Sequence, residues 1–274
     1  MQPGHRILDP AAGRGVAENT SALAVMTKAP RAGQVKTRLS PPLSPEEAAQ
    51  LNLCFLRDTA AAITSCTGRL RLPNRARGVA VYTPIGAEAA YIGILPHRDF
   101  DLLPQRGAGF GERLNLAAAD LFCCGFASVC LIDSDSPTLP SEALTSAVAL
   151  LEQPGERVVL GPAEDGGYYL IGVKAAYHRL FADIAWSTDR VFGQTVERAE
   201  EARLDIEVLP RWYDVDDGPN LDRLCEELLG GGGGPCGSVR GYRAPHTRHY
   251  LTQLLASSRE RFWLRPRLEA PRSR

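Results

Sequence analysis

Short apolar segments alternate with longer segments of mixed polarity through the middle of the chain. Apolar runs of about four to eight residues bounded by turn residues predict buried strands. The predicted strands cover residues 21–27, 78–83, 100–103, 129–132, 158–162, 168–173 and 204–209. Because helical segments separate most of them, we expect an α/β fold with a mostly parallel sheet. Strand 168–173 follows strand 158–162 closely, which indicates one antiparallel member.

Apolar residues recur at three- and four-residue spacing between the strands, which predicts amphipathic helices. The first helix begins within the capping box Ser44-Pro-Glu-Glu47, with the proline at its first position, and extends to about residue 65. Ser187 or Thr188 is the expected cap of a later helix that extends to about residue 203. Further helices are predicted over residues 87–91, 112–122, 140–151, 220–229 and 245–257.

The chain has 274 residues, a formal net charge of −1 and 44% hydrophobic residues, which suits one globular domain with appendages. We divide it into a flexible N-terminal extension (1–20), a main domain (21–229), a glycine linker (230–234) and a basic C-terminal extension (235–274). No apolar run approaches the roughly 20 residues that a membrane helix needs, and residues 1–20 lack the apolar core of a signal peptide. We therefore expect a cytoplasmic protein without a membrane span.

The cysteines and the charge distribution indicate which covalent links and which partners to expect. The seven cysteines include no C-x-x-C pair and stand mostly among apolar residues, so free buried thiols are expected. The C-terminal extension carries nine Arg and two Glu, a net charge of +7, which leaves −8 for the first 234 residues (−1 minus +7). A basic tail of this kind is most often solvated, so we expect no nucleic-acid partner. Homo-oligomer formation stays open.

Two carboxylates follow one of the predicted strands. Residues 129–132 end directly in Asp133 and Asp135, and a proline then prevents further strand pairing. Ligands bind at the carboxyl ends of strands in open α/β sheets, where both acids can reach one divalent cation. Mg²⁺ and Mn²⁺ favour such oxygen ligands together with substrate phosphates, although Asp and Ser are also ordinary turn residues. Asp214 and Asp216 repeat the same spacing late in the chain.

A basic loop follows the first predicted strand. Residues 28–39 hold the cations Lys28, Arg31, Lys36 and Arg38, and two of only three lysines in the chain lie there. Lysine binds phosphate as a point charge. The loop matches neither the G-x-x-x-x-G-K-[ST] nor the G-x-G-x-x-G phosphate motif, so a solvated basic loop is the alternative. A lysine on such a loop buries little apolar surface, and Lys36→Ala is therefore expected to change the free energy of unfolding by no more than ~0.5 kcal/mol.

Two glycine-containing segments are candidates for close contact between backbone and ligand. Residues 105–111 open a predicted helix, and Gly111 would lie where a helix N-terminus attracts an anion. Asp165 precedes Gly166 and Gly167, a pair that suits close backbone approach to a ligand. Both segments are equally compatible with ordinary turns.

Five segments occur in an order that is typical of one protein family. They are residues 28–39 (KAPRAGQVKTRL), 132–137 (IDSDSP), 161–172 (GPAEDGGYYLIG), 186–189 (WSTD) and 214–216 (DVD). Together they resemble a bacterial glycosyltransferase-A-like family, formerly domain of unknown function 2064, over roughly residues 22–229. Its members are often described as glycosyltransferases, some of them near arsenosugar pathways. The loop at Gln105 departs from the pattern that is usual in this family.

The resemblance implies a three-layer α/β, Rossmann-like nucleotide-diphospho-sugar transferase (GT-A) fold with a mostly parallel mixed sheet. It implies a metal-dependent glycosyltransferase that moves a sugar from a nucleotide-diphospho-sugar to a small-molecule acceptor, with Mg²⁺ or Mn²⁺ as cofactor. The expected metal ligands are Asp133, Asp135, Asp214 and Asp216. The expected phosphate-binding residues are Lys28, Arg31, Lys36, Arg38 and Gly111. The expected catalytic residues are Asp135, Lys36 and Asp165. The residues expected to contact the sugar or acceptor are Asp165, Gly166, Gly167, Tyr168, Trp186 and Ser187.

Two alternatives remain at this stage. Residues 36–39 (KTRL) are similar to the Lys-Ser-Arg-Leu of phospholactate guanylyltransferases, and residues 214–216 to a late acidic segment of molybdenum-cofactor guanylyltransferases. A nucleotidylyltransferase that acts on a phosphorylated small molecule would bind a nucleoside triphosphate with the same cations. The second alternative is a non-catalytic nucleotide-binding module.

Overall fold

A mixed sheet of seven strands forms the centre of the protein. The computed structural model describes residues 4–13, 15–16, 19–69, 76–230 and 241–257. The strands are β1 (Ser21–Lys28), β2 (Ala76–Thr83), β3 (Phe100–Pro104), β4 (Ser128–Ile132), β5 (Arg157–Pro162), β6 (Tyr168–Val173) and β7 (Asp205–Val208). Their order across the sheet is β3-β2-β1-β4-β6-β5-β7.

Strand β6 is antiparallel to both of its neighbours, and the other adjacent pairs in the sheet are parallel. A short turn joins β5 to β6, so no helix can cross the sheet between them and the two strands must run in opposite directions. The prediction of a mostly parallel sheet with one antiparallel member is confirmed.

Helices cover both faces of the sheet and give three layers. They are α1 (Pro45–Arg69), α2 (Phe110–Cys123), α3 (Ser141–Glu152), α4 (Val191–Glu201), α5 (Gly218–Leu229) and α6 (Pro245–Ser257). Helices α1, α3, α5 and α6 bury their apolar residues in one core, and α2 and α4 bury theirs in the other. The predicted capping box at the start of α1 is present, because Ser44 N donates to Glu47 Oε2 and Glu47 N to Ser44 Oγ at 2.8 and 3.2 Å. The expected three-layer α/β fold is confirmed.

Strand β4 lies in the interior of the sheet between β1 and β6. All five of its residues are buried, since successive side chains point into the two cores on opposite faces. This explains the continuous apolar run that ends at Ile132. The strand therefore delivers Asp133 and the residues after it to the carboxyl edge of the parallel strands.

Two helix predictions differ from the structure in detail. Helix α4 begins at Val191 and not at Ser187 or Thr188. The Thr188 hydroxyl donates to Ala185 O at 2.7 Å and accepts from Arg190 N at 3.3 Å, so its hydrogen bonds form a turn ahead of the helix. The helix predicted near residues 87–91 is a single 3-10 turn, Glu88–Tyr91.

The N-terminal extension was expected to be flexible, and the structure corrects this expectation for residues 6–8. Leu8 N donates to Leu102 O and Leu102 N donates to Arg6 O, each at 2.8 Å, which adds a short pairing beside β3. Leu8 is 3% exposed and belongs to the core that α2 and α4 cover. The apolar pair Ile7-Leu8 within a polar stretch was the signal in the sequence.

Helix α6 packs against α1, so the described part of the basic C-terminal extension adds to the core. Leu251 and Leu254 are buried there. Asp58 of α1 is fully buried and accepts hydrogen bonds from His246 N and Thr247 N, at 3.0 and 2.8 Å, in the first turn of α6. Residues 231–240, which include most of the predicted glycine linker, and 258–274 lie outside the described residues.

Within the described ranges, no helix has the length and apolar character needed to cross a bilayer. The six cysteines in these ranges are in the thiol form, as predicted, and five of them are buried.

We expect Asp58→Ala to lower the free energy of unfolding by about 1–3 kcal/mol, because two backbone N–H groups lose their acceptor in a buried place. Urea denaturation followed by circular dichroism measures this change. The exposed Glu200 of α4 supplies the control, and Glu200→Ala should stay within ~0.5 kcal/mol of the parent. Equal losses in the two variants would show that the contact between α1 and α6 adds nothing to stability.

Candidate active site

Four segments meet at the carboxyl ends of β1 and β4. The loop 28–39 follows β1 and the loop 133–137 follows β4. Asp133 N donates to Tyr169 O at 2.9 Å, which joins the second loop to the start of β6. Val215 N donates to the backbone carbonyl of Asp135 at 2.9 Å, which brings in the late acidic segment. Residues that are distant in sequence therefore form one cleft.

The late acidic segment is held in place by the aromatic residues that precede it. Trp212 N donates to Pro162 O at 3.1 Å, and the Trp212 indole donates to the Thr138 hydroxyl at 3.3 Å. Tyr213 is buried, donates to the Glu227 carboxylate of α5 and stacks under the guanidinium of Arg223. These contacts fix the backbone from which Asp214 and Asp216 project.

Lys36 lies between two of the carboxylates that were predicted to bind a metal. Its ammonium contacts Asp135 Oδ1 at 2.6 Å and Asp216 Oδ1 at 2.8 Å. It also donates to Val215 O at 2.9 Å. Burial lowers the pKa of Lys36, but the two carboxylates outweigh this effect and the pKa is raised above its ordinary value. The lysine is therefore a charged internal counter-ion.

The Lys36 side chain is only 4% exposed, so the expectation that it buries little surface was wrong. Its backbone adopts the left-handed conformation, with φ of 49°, at the start of the 3-10 turn Thr37–Leu39. Leu39 is buried in the core, and the Lys36 ammonium lies 5.5 Å from the centre of the Phe55 ring. The left-handed backbone at Lys36 therefore turns the loop inward and directs the lysine side chain to the buried base of the cleft.

Negative charge exceeds positive charge inside the cleft. Burial, followed by the charge of Asp135, raises the pKa of Asp133 well above its usual range, although the Ser136 hydroxyl donates to it at 2.8 Å. Burial, followed by the charges of Asp165 and Asp216, raises the pKa of Asp214 to about 6. Like charges this close favour protonation or a bound cation.

The cleft has a polar cavity and an apolar cavity that share one polar boundary. The polar cavity has a volume of about 580 Å³ and the apolar cavity a volume of about 310 Å³. The residues that line both are Asp135, Asp165, Ser187, Thr188 and Asp216. A molecule that occupied both cavities would therefore pass directly over these carboxylates.

Lys28, Lys36 and Arg38 line the polar cavity, as predicted for phosphate-binding residues. Among the described residues, Lys28 and Arg38 make no ion pair, so their charges stay available. Arg31 is exposed and lies outside the residues that line either cavity. The assignment of Arg31 to phosphate stays a prediction without a contact to support it.

Aromatic side chains line the apolar cavity. Trp186 makes edge contacts with Phe110 and Tyr168, with ring centres 5.2 and 6.4 Å apart. Gly111 was predicted to bind phosphate, but it faces this aromatic cluster, and a Cβ at its position would overlap the indole of Trp186. The structure thus gives Gly111 a packing reason, because only glycine lets α2 approach the ring.

Gly166, the first glycine after Asp165, also has a packing reason. Gly166 has φ of 92°, and a Cβ there would overlap the backbone of Asp189. Asp165 Oδ1 accepts from Gly167 N at 2.8 Å, which orients the carboxylate toward the cleft. Gly167 lines the apolar cavity. Its expected contact with a sugar or acceptor stays a prediction.

Several cavity residues were missed in the sequence. Asn52 of α1 lines the polar cavity and is 6% exposed. It follows Leu51 on a buried helix face, and a polar residue at such a position was a usable signal. Phe110 and Asp189 also line the cavities, and their places depend on long-range packing that no local pattern reveals.

The residues of the cleft fit a cation, although the described ranges contain no group of three or more His, Cys, Asp or Glu side chains arranged to hold a metal ion. Asp135 and Asp216 already share one cation, the ammonium of Lys36. Together with Val215 O they offer three oxygen atoms to one point, and oxygen is the ligand that Mg²⁺ and Mn²⁺ prefer.

The comparisons with known proteins agree with this fold. A family described as "Uncharacterized protein conserved in bacteria (DUF2064)" has a model that matches residues 70–188. This match confirms the family resemblance predicted from the sequence. No curated protein matches the chain.

Among solved structures, the chain is similar to a protein of Desulfovibrio desulfuricans G20 that is provisionally named a nucleotide-diphospho-sugar transferase. The TM-score is 0.72 at 28% identity, over 88% of this chain and 96% of that one. A CMP:2-keto-3-deoxy-manno-octonic acid synthetase complexed with CTP scores 0.45 at 10% identity, over 75% and 96% of the two chains. A glucosyl-3-phosphoglycerate synthase of Mycobacterium tuberculosis scores 0.44 at 12% identity, over 90% and 81%.

We expect Lys36→Ala to lower the free energy of unfolding by about 1–3 kcal/mol, since Asp135 and Asp216 lose their shared partner. The loss stays below that of a fully buried pair because the two carboxylates are 34% and 42% exposed to water. Lys28→Ala, on the rim of the same cavity, should cost no more than ~0.5 kcal/mol. Denaturant unfolding measures the free energy of unfolding of both variants. Equal and small changes in the two would show that the ion pairs of Lys36 are weak.

Proposed function

We propose that this protein is a glycosyltransferase that moves a sugar from a nucleotide-diphospho-sugar to a small-molecule acceptor, with Mg²⁺ or Mn²⁺. One observation carries the proposal. Five carboxylates, from three segments of the chain, converge where a cavity lined by cations meets an apolar cavity. They are Asp133, Asp135, Asp165, Asp214 and Asp216.

Asp135 and Asp216 are the residues that would hold the metal ion, because both already bind one cation in the cleft. Asp133 and Asp214 lie on the side of the apolar cavity and would complete the acidic surroundings. When bound, a divalent ion neutralises the charge that builds on a leaving diphosphate.

Lys28 and Arg38 provide fixed positive charge at the polar cavity, where the diphosphate of the donor would lie. Donors that are held in place before reaction stabilise developing negative charge more than mobile water does. Each cation is thus expected to contribute to turnover as well as to binding.

Asp165 is placed to orient the acceptor. Its carboxylate lies on the boundary between the two cavities and is held by Gly167 N. A carboxylate within reach of an acceptor hydroxyl can take its proton as the sugar is transferred. Phe110 and Trp186 would pack against the apolar body of the acceptor in the adjoining cavity.

The similarity to the Desulfovibrio protein supports the proposal, because it extends over most of both chains and that protein carries a nucleotide-diphospho-sugar transferase name. A cytoplasmic location and homo-oligomer formation stay proposals of the sequence.

Nucleotidylyl transfer is the second candidate, and one observation favours it. Lys28 and Arg38 are free of ion pairs among the described residues and line a cavity of about 580 Å³, which has room for a triphosphate. In that reaction pyrophosphate would leave, whereas glycosyl transfer releases a nucleoside diphosphate.

A panel of nucleotide-sugars and nucleoside triphosphates, each with Mn²⁺, separates the two reactions. We expect a nucleoside diphosphate to be released from at least one nucleotide-sugar, with mass spectrometry to identify the products. Slow hydrolysis in the absence of an acceptor would also count, since water can replace the acceptor hydroxyl. Release of pyrophosphate with a nucleotidylated product, and no turnover of any nucleotide-sugar, would overturn the proposal.

Asp135→Asn is expected to lower kcat at least about 100-fold, because the change removes a charge that the metal site needs. Asp183→Asn changes an exposed acid that lines neither cavity and should leave kcat unchanged. Thermal melting of both variants checks that the fold is intact. Near-parent activity of a folded Asp135→Asn variant would contradict its assignment to the metal site.

A further inference from the structure

The ammonium of Lys36 occupies the point in the cleft where carboxylates from two segments meet. Asp135 Oδ1, Asp216 Oδ1 and Val215 O surround it at 2.6, 2.8 and 2.9 Å. The centre of the Phe55 ring lies 5.5 Å from the ammonium, and the Lys36 side chain is 4% exposed. This is a fully built cation site that the chain fills with its own side chain.

A divalent ion and the Lys36 ammonium cannot both use these oxygens. Mg²⁺ binds oxygen ligands at about 2.0–2.1 Å, which is shorter than the distances that the ammonium now keeps. Two cations on one pair of carboxylate oxygens would also repel each other strongly in a partly buried place. A metal ion that binds these same oxygens therefore requires that Lys36 moves.

We propose that Lys36 is an exchangeable internal cation: it neutralises Asp135 and Asp216 until a metal ion binds, and is then released into the polar cavity to contact the donor phosphates. This inference rests on the proposed function. It gives Lys36 two contacts, with the carboxylates and with phosphate, that exclude each other.

The polar cavity offers the released side chain a place to go. Lys36 already lines it together with Lys28 and Arg38, and Asp135 and Asp216 form part of its wall. Only the side chain has to rotate, because Leu39 anchors the following turn in the core. The exchange moves one positive charge from the carboxylates toward the diphosphate as the metal replaces it.

Amine labelling of the unmodified protein tests the exchange directly. The chain has only three lysines, Lys28, Lys36 and Lys174, so acetylation of each can be followed by mass spectrometry. Without metal, Lys36 should react slowly because it is buried and ion-paired. Saturating Mn²⁺ should raise its rate at least about fivefold through a shift in population, while Lys28 and Lys174 change less than about twofold.

The labelling experiment separates two outcomes. A selective rise at Lys36 supports the exchange. An unchanged or slower reaction of Lys36, at Mn²⁺ concentrations shown to be saturating by electron paramagnetic resonance, overturns it.

A pair of variants tests the same competition from the side of the metal. Lys36→Met keeps an unbranched side chain that is only one atom shorter and removes the competing charge, so Mn²⁺ should bind at least about tenfold more tightly than to the parent. Lys28→Met removes the same charge from the same cavity, but Lys28 makes no ion pair among the described residues. This variant should therefore change the affinity for Mn²⁺ less than about threefold. Equal effects in the two variants, or weaker binding by Lys36→Met, would overturn the exchange.

These measurements separate the inference from the function on which it rests. If the parent binds Mn²⁺ and releases a nucleoside diphosphate but Lys36 stays protected, the exchange fails and the proposed function stands. If neither the parent nor Lys36→Met binds Mn²⁺, the metal site itself is wrong and both fail.

Discussion

The ion pairs of Lys36 are the interaction on which the arrangement of the cleft depends. One ammonium joins the loop after β1 to Asp135 after β4 and to Asp216, which lies 180 residues later in the chain. Without a cation there, carboxylates from separate segments would repel one another at the edge of the sheet. The Lys36 side chain therefore both balances the negative charge of the site and holds the loop after β1 against the two acidic segments.

The sheet explains why these segments meet at all. Strands β1 and β4 are parallel neighbours, so the loops that follow them leave the sheet at the same edge. Strand β6 runs in the opposite direction and begins at that edge, which brings the Asp165 turn beside Asp133. Strand β5 runs in the same direction as β4 and ends at Pro162, so the turn that carries Asp165 lies at the edge where Asp133 also lies.

The sequence predicted the strands, the antiparallel member, the first helix cap and the location of the acidic and basic segments, because each of these follows from local pattern. It did not predict the contact between Lys36 and Asp216, since local spacing carries no information about a partner so distant in the chain. Gly111 shows the same limit. Its place at a helix N-terminus suggested an anion, whereas its neighbour in space is the indole of Trp186. The burial of Lys36 was not predicted because the loop is mostly polar in sequence. In the structure, the buried Leu39 anchors the turn that follows Lys36 and draws the lysine inward.

A crystal structure with Mn²⁺ and a nucleoside diphosphate tests the central claim most directly, namely that the carboxylates of this cleft hold a metal ion over a diphosphate. We expect an anomalous Mn²⁺ peak about 2.1 Å from oxygens of Asp135 and Asp216, with the Lys36 ammonium on a phosphate oxygen. A nucleotide bound elsewhere, or a cleft in which Lys36 keeps both carboxylates and no anomalous peak is present, would contradict it.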